Sequence, residues 1–262
     1  MQAQKLPASV GWRWLVHGYG IFRRKPALML ALVAGYWMIL LLSGIVPLVG
    51  SVIGSIIAPA LSVGVMNACR QIDRGQPAAF DSLFSAFRHN PRTLFALGAL
   101  YLATTLAILG IISMIDGGTL FRAMTVGGVD AEDLAAAGSG TAAQVGILLM
   151  SPVVMAWWYA PMLASWHGTS AAKALFFSFV ACWRNWRAFL AYGAGAALLT
   201  LPPLFILVFL AVRGGAGMGV AVLMVVPAMM FLAPMFFASF YVSYRDVFVA
   251  AEPPPPAVDL HA

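Results

Sequence analysis

The chain has 262 residues, 62% of them hydrophobic and 9% charged, with 15 Lys and Arg against 9 Asp and Glu for a net charge of +6. A soluble chain of this length carries about 65 charged side chains, because soluble domains run near 25% charged. The deficit falls in blocks and excludes an ordinary soluble domain, so the basic surplus reads as membrane topology and affinity for anionic lipid, not as nucleic-acid binding.

In chain order, Trp12, Leu15, Val16, Tyr19 and Phe22 take the spacing of one helical face, with Arg13, His17, Arg23 and Arg24 off it. From Lys25 to Arg70 lie 44 uncharged residues. That is too long for one span of about 20 residues and suits two, turning at Pro47 and Gly50. The run is also too long for a cleavable leader, so the first span is an anchor. Phe80, Leu83, Phe84 and Phe87 repeat the amphipathic spacing. Spans follow at 93–115 and 143–166, separated by an outer loop of residues 116–142 with a short helix near 130–137. Leu175, Phe176, Phe179, Val180 and Trp183 form a third amphipathic stretch before spans 188–212 and 218–244. With the first pair at 27–46 and 50–68, the expected fold is an all-α membrane protein of six transmembrane helices. Residues 251–262, with prolines at 253 to 256, read as a disordered polyproline-like tail.

Placing the N-terminus inside puts 13 basic residues on the cytoplasmic side and leaves Arg122 and Arg213 outside, which the positive-inside rule favours. Both termini are then cytoplasmic. The pattern also repeats three times, in a single transmembrane domain with hairpin units at about 8–74, 78–172 and 173–250. The elbows read Phe22-Arg23-Arg24-Lys25-Pro26, Phe87-Arg88-His89-Asn90-Pro91 and Cys182-Trp183-Arg184-Asn185-Trp186; the returning helices carry Ala58-Pro59, Ala160-Pro161 and Ala233-Pro234. Aromatic faces with basic flanks suit helices lying in the cytoplasmic headgroup layer. They either anchor the bundle or recognise an anionic headgroup, and the headgroup candidates are Arg23, Arg24, Lys25, Arg88, Arg92, Arg184 and Arg187.

The spans hold no Asp, Glu, Lys, Arg or His, which counts against a proton-coupled transporter or an ion channel. Tyr36, Trp37, Trp157, Trp158 and Tyr159 lie turns away from the interface where such residues collect. They serve either as interhelical packing or, with Pro161, as the wall of a cavity for a flat or long-chain apolar ligand. Small residues at spacing four, Gly50, Gly54, Ala58 and Ser62, predict close helix contacts. Cys69 and Cys182 read as small packing residues. No catalytic, metal or cofactor motif is found: His17, His89, His167 and His261 lie on the opposite face from Asp116, Asp130, Glu132 and Asp133, and the glycines at 215, 217 and 219 make a turn.

Gln2 to Pro7 with Gly11-Trp12, Leu61 to Arg70, and Ala160-Pro161 through Trp166-His167-Gly168 to Lys173–Phe179 and Arg184-Asn185-Trp186-Arg187 resemble an uncharacterised family of proteobacterial inner-membrane proteins that carry the prefix BPSS. The three-hairpin pattern is more loosely similar to YciC-like proteins and to the membrane domain joined to some glycerophosphodiester phosphodiesterases. The resemblance implies a bacterial inner membrane and a six-helix fold; it brings no activity and no catalytic residues. The expected function is therefore non-enzymatic: binding of lipid or an apolar ligand, or a membrane scaffold. The alternatives are a transporter of an apolar compound and an intramembrane enzyme built on His167, Arg184 and Asn185.

Overall fold

The computed structural model describes residues 3–46, 49–88, 90–125, 133, 136–213 and 217–248. The predicted turn at Pro47, the elbow residue His89, the short helix predicted near 130–137 in its larger part, Gly215 and the tail 251–262 lie outside the described residues. Among the described residues the fold is all-helical. The α-helices are α1 Ser9–Phe22, α2 Pro26–Ser43, α3 Val49–Asp73, α4 Pro91–Asp116, α5 Thr119–Thr125, α6 Ser139–Trp158, α7 Ala160–His167, α8 Ala171–Arg184, α9 Trp186–Arg213 and α10 Gly217–Phe248. Among the described residues, five stretches are long and apolar enough to cross a membrane: α2, α3, α4, α6 with α7 taken together, and residues 186–211 of α9. The sixth predicted span, 218–244, coincides with α10.

Prolines set several boundaries. Pro26 and Pro91 occupy the first turns of α2 and α4, where a missing N–H costs nothing. Asn90, which precedes α4, takes a left-handed backbone with φ 54°. Its Oδ1 accepts from the Thr93 hydroxyl at 2.8 Å and its Nδ2 donates to the Ala164 carbonyl at 3.0 Å. At the end of α4 the Asp116 carboxylate accepts from the Gly118 and Leu120 N–H groups, opening α5.

The chain divides into two compact units, Lys25–Trp183 and a second one made of Met1–Arg24 with Arg184–Ala262. In the larger unit α3 packs on α2 and α4, and α4 also packs on α6 and α7. The amphipathic stretch at Phe80–Arg88 is a 3₁₀ helix that lies across α3 and α2. Its Leu83 backbone meets Gly64, so close that a side chain at 64 would collide. In the smaller unit α1 packs on α10 and α9. Trp14 is fully buried there, edge-on to Phe189 at 5.4 Å and Tyr192 at 6.0 Å. Gly18 lies against the Ser239 backbone, and the Tyr192 and Ser239 hydroxyls share a 2.9 Å hydrogen bond. Asn185, 1% exposed, fastens the N-terminal segment: its Oδ1 accepts from the Leu6 N–H and its Nδ2 donates to the Gln4 carbonyl, both at 2.8 Å.

The amphipathic elements present two apolar faces. Inward go Gly11, Trp14, Leu15 and Gly18 of α1; Ser82, Leu83 and Ala86 of the 3₁₀ helix; and Ala174, Ser178, Ala181 and Cys182 of α8. Outward go Trp12, Val16, Tyr19, Phe80, Phe84, Phe176 and Trp183, all exposed. Half of the side chains that define the amphipathic pattern in the sequence are therefore turned away from the protein, while Leu15, Phe22 and Leu83 are buried in it. Small residues allow close helix approach, while large apolar groups suit a lipid phase.

Candidate functional site

The membrane helix formed by α6 and α7 is broken at Tyr159. Pro161 can donate no hydrogen bond to the Trp157 carbonyl four residues back, and a residue before proline is disfavoured in the helical region. The break also exposes the Met155 carbonyl and the Tyr159 N–H, which would pair in an unbroken helix. The Ser178 hydroxyl of α8 is inserted between them, accepting from the Tyr159 N–H at 2.9 Å and donating to the Met155 carbonyl at 2.8 Å. Ser178 and Tyr159 are both fully buried. A hydroxyl thus satisfies two backbone groups that an apolar surrounding would leave costly.

Beside this break lies a cavity of about 490 Å³, within the 300–1,000 Å³ range of small-molecule sites. Its walls come from Tyr36, Leu40, Ser43 and Gly44 at α2 and Ser51, Gly54, Ser55, Ala58, Pro59 and Ser62 of α3. Tyr101, Trp157 and Pro161 complete it. Trp157 is held in place: its indole N–H donates to the Leu97 carbonyl at 3.0 Å, and its ring stands edge-on to Tyr101 at 5.8 Å. The serine hydroxyls of residues 43, 55 and 62 donate to carbonyls of their own helices, those of Leu40, Ser51 and Pro59. Toward a ligand they can offer only acceptor lone pairs. The chamber is therefore mainly apolar, with two tyrosines, an indole and a line of hydroxyls along α3.

A probable inner membrane protein of Burkholderia thailandensis is 35% identical to this chain over 265 residues, covering 98% of this chain and 97% of the relative. The chain belongs to that protein's family. No family model and no solved structure matches it.

Of the six residues expected to wall a cavity in this family member, Tyr36, Trp157 and Pro161 line the one described. Trp37 is 49% exposed on α2, Trp158 is half-buried, and Tyr159 is fully buried at the helix break; none of these three is in the lining. Sequence reasoning missed the serines. Gly54, Ala58 and Ser62 stood out as small residues at spacing four, and Gly54 does approach Ser43 of α2. What the spacing could not reveal is that this stripe, extended by Ser51 and Ser55, also borders an opening. The seven predicted headgroup residues are all exposed at helix ends. Arg23, Arg24, Arg184 and Arg187 flank α1, α8 and α9, while Lys25, Arg88 and Arg92 flank α2, the 3₁₀ helix and α4. Cys69 and Cys182 are both buried free thiols. Burial pushes the Cys182 thiol up to about 12, against a smaller opposing effect of its hydrogen bond with Ser178.

Proposed function

We propose that the protein is an integral protein of a bacterial inner membrane that binds a lipid or a small apolar molecule in the α2–α3–α4–α6–α7 cavity and catalyses no reaction. The observation that carries this reading is the cavity itself, with Trp157 fixed in its wall by a hydrogen bond to Leu97. The relative's name supports the location. The chain crosses six times, α10 included, with both termini in the cytoplasm and the exposed basic residues at helix ends meeting anionic lipid. The looser likeness to YciC-like proteins and the phosphodiesterase-linked membrane domain belongs to the same reading.

The three hairpins are repeats, and packing inside each unit supports their register. Counting from each elbow, Gly35 of α2 and Gly195 of α9 hold equivalent places. A Cβ at Gly35 would meet Phe80 at 2.8 Å, and one at Gly195 would meet Leu15 at 2.8 Å; Phe80 and Leu15 are themselves equivalent. Gly64 and Ser239, each five residues after its Ala-Pro proline, meet the equivalent Leu83 and Gly18. Each amphipathic helix thus belongs with the hairpin before it, and α1 takes that place for the last hairpin.

The test is native mass spectrometry of protein in nanodiscs, with identification of what stays bound. A stoichiometric apolar ligand is expected in the wild type and in Trp37→Ala, and absent from Ser55→Phe and Ala58→Phe, which fill the cavity. A wild type carrying only bulk lipid, or filled variants that keep the ligand, would overturn the reading. The broken helix favours a second reading, carriage of the ligand across the membrane; it requires that cysteines placed at positions 43 and 62 change their labelling in opposite senses when ligand is added.

A further inference from the structure

A second cavity, of about 380 Å³, lies toward the Arg70 end of α3 and is lined by Asn67, Arg70, Gln71, Arg74, Gln76, Ser85, Ser165 and Trp166. We infer that it is a binding site for a phosphate group, held by Arg70, Arg74 and Gln71. Asn67, Arg70, Gln71 and Arg74 stand at i, i+3, i+4 and i+7, so one face of the end of α3 supplies the first three and Arg74, the residue just past it, continues that face with its N–H bonded to the Arg70 carbonyl.

The hydrogen bonding sorts this face into used acceptors and unused donors. Asn67 Oδ1 accepts from the Trp166 indole N–H at 2.7 Å, and Asn67 Nδ2 donates to the Ser85 hydroxyl at 2.8 Å. Ser85 donates in turn to the Ser82 carbonyl at 2.6 Å, and Gln71 Oε1 accepts from the Ser82 hydroxyl at 2.9 Å. The Gln71 amide is thereby oriented with its N–H₂ group free to donate. Arg70 lies with its guanidinium 5.1 Å from the Trp166 ring centre, a cation–π contact that brings it no hydrogen-bond acceptor. Among the described residues no carboxylate pairs with Arg70 or Arg74. Asp73 shares their turn but is not in the lining.

Two guanidinium groups and an amide, with no acid among the lining side chains, make a surplus of positive donors in a partly enclosed space. Planar guanidinium forks match phosphate oxygens two at a time. A cation would find no charged acceptor here, and an apolar group would strand the donors. The phosphate can belong to a lipid headgroup, since α3 is a membrane-crossing stretch, or to a soluble phosphate compound; the recognition chemistry is the same. The site is distinct from the apolar cavity: the two share no lining residue, and Ser62, the last α3 residue in that wall, is about 7.5 Å along the helix axis from Asn67, the first one here.

The experiment uses the full chain in nanodiscs. One arm adds a minority of phosphatidylglycerol to phosphatidylcholine and counts retained anionic lipid by native mass spectrometry; the other titrates inorganic phosphate into phosphatidylcholine nanodiscs by calorimetry. Arg70→Gln and Arg74→Gln are each expected to weaken binding about tenfold, the scale of one lost charge-assisted hydrogen bond. Arg122→Gln, in α5 of the same unit, outside the lining and not among the predicted headgroup residues, should bind as the wild type does. A loss seen only with phosphatidylglycerol assigns the site to a headgroup; a loss seen with inorganic phosphate assigns it to soluble phosphate. Because Arg74 is exposed and outside the Trp166 contact, its variant remains a folded test if Arg70→Gln does not. Equal binding by wild type and Arg74→Gln in both arms would overturn the proposal. Ser55→Phe should leave this response intact, which separates the site from the apolar cavity.

Discussion

At the scale of single residues, the most consequential side chain is Ser178, one hydroxyl that serves two backbone groups across a helix break. Ser178→Ala leaves both unpaired in a buried setting and should destabilise the protein by about 1–3 kcal/mol, read as a lower thermal midpoint in detergent. Ser178→Thr, which keeps the hydroxyl, should recover part of the loss. Trp157→Phe removes the indole N–H that holds to Leu97 while keeping an aromatic wall. It is expected to weaken ligand retention more than it lowers stability, and a fall in both together would instead mark Trp157 as a packing residue. The thiols give a further expectation: Cys182, pushed up to about 12 by burial, stays protonated at pH 8. It should react with maleimide far more slowly than an exposed engineered cysteine, because the thiolate is the reacting form.

At the scale of elements, helix ends and helix faces were legible in the sequence to different degrees. Ends were readable because charges, prolines and glycines mark them: the predicted 93–115 is α4 at Pro91–Asp116, and 188–212 is α9 at Trp186–Arg213. Faces were less so. A rule that buries large apolar residues holds where water surrounds the protein; here Trp12, Val16 and Tyr19 are exposed, and Gly11, Trp14 and Gly18 make the protein contact. The 3₁₀ form of Phe80–Arg88 was also hidden, since short apolar spacings fit both helix types. Of the expected cavity wall, Tyr36, Trp157 and Pro161 line the opening and the equally conspicuous aromatics Trp37, Trp158 and Tyr159 do not, because side-chain type does not tell which way a residue faces; the serines and glycines of the wall were not expected there, because small residues mark close packing and open space alike. The same geometry predicts that Gly18→Leu, forced into the Ser239 backbone, costs about 3 kcal/mol or more by overpacking. Val16→Leu, on the exposed face two residues away, should cost almost nothing, and equal losses in the two variants would mean that α1 does not dock through Gly18.

At the scale of the whole molecule, charge and packing order the chain in different ways. The proposed topology, which places 13 basic residues on one side and two on the other, predicts an orientation that single engineered cysteines check. A cysteine at position 88 should be reachable only from the cytoplasmic side and one at position 140 only from the opposite side, and the reverse pattern would invert the topology. The division into units has a further consequence, in time. The partners of α1 are α9 and α10, which begin at Trp186 and Gly217, so α1 leaves the ribosome well before the helices that dock it. At about 5–20 residues per second, translation leaves α1 without its partners for roughly 8–30 s. Through that interval the Gly11, Trp14 and Gly18 face of α1 stays uncovered. A chain that stops before Trp186 would therefore present a complete Lys25–Trp183 unit together with an unclaimed docking helix, the form in which a membrane chaperone or protease would meet an unfinished copy.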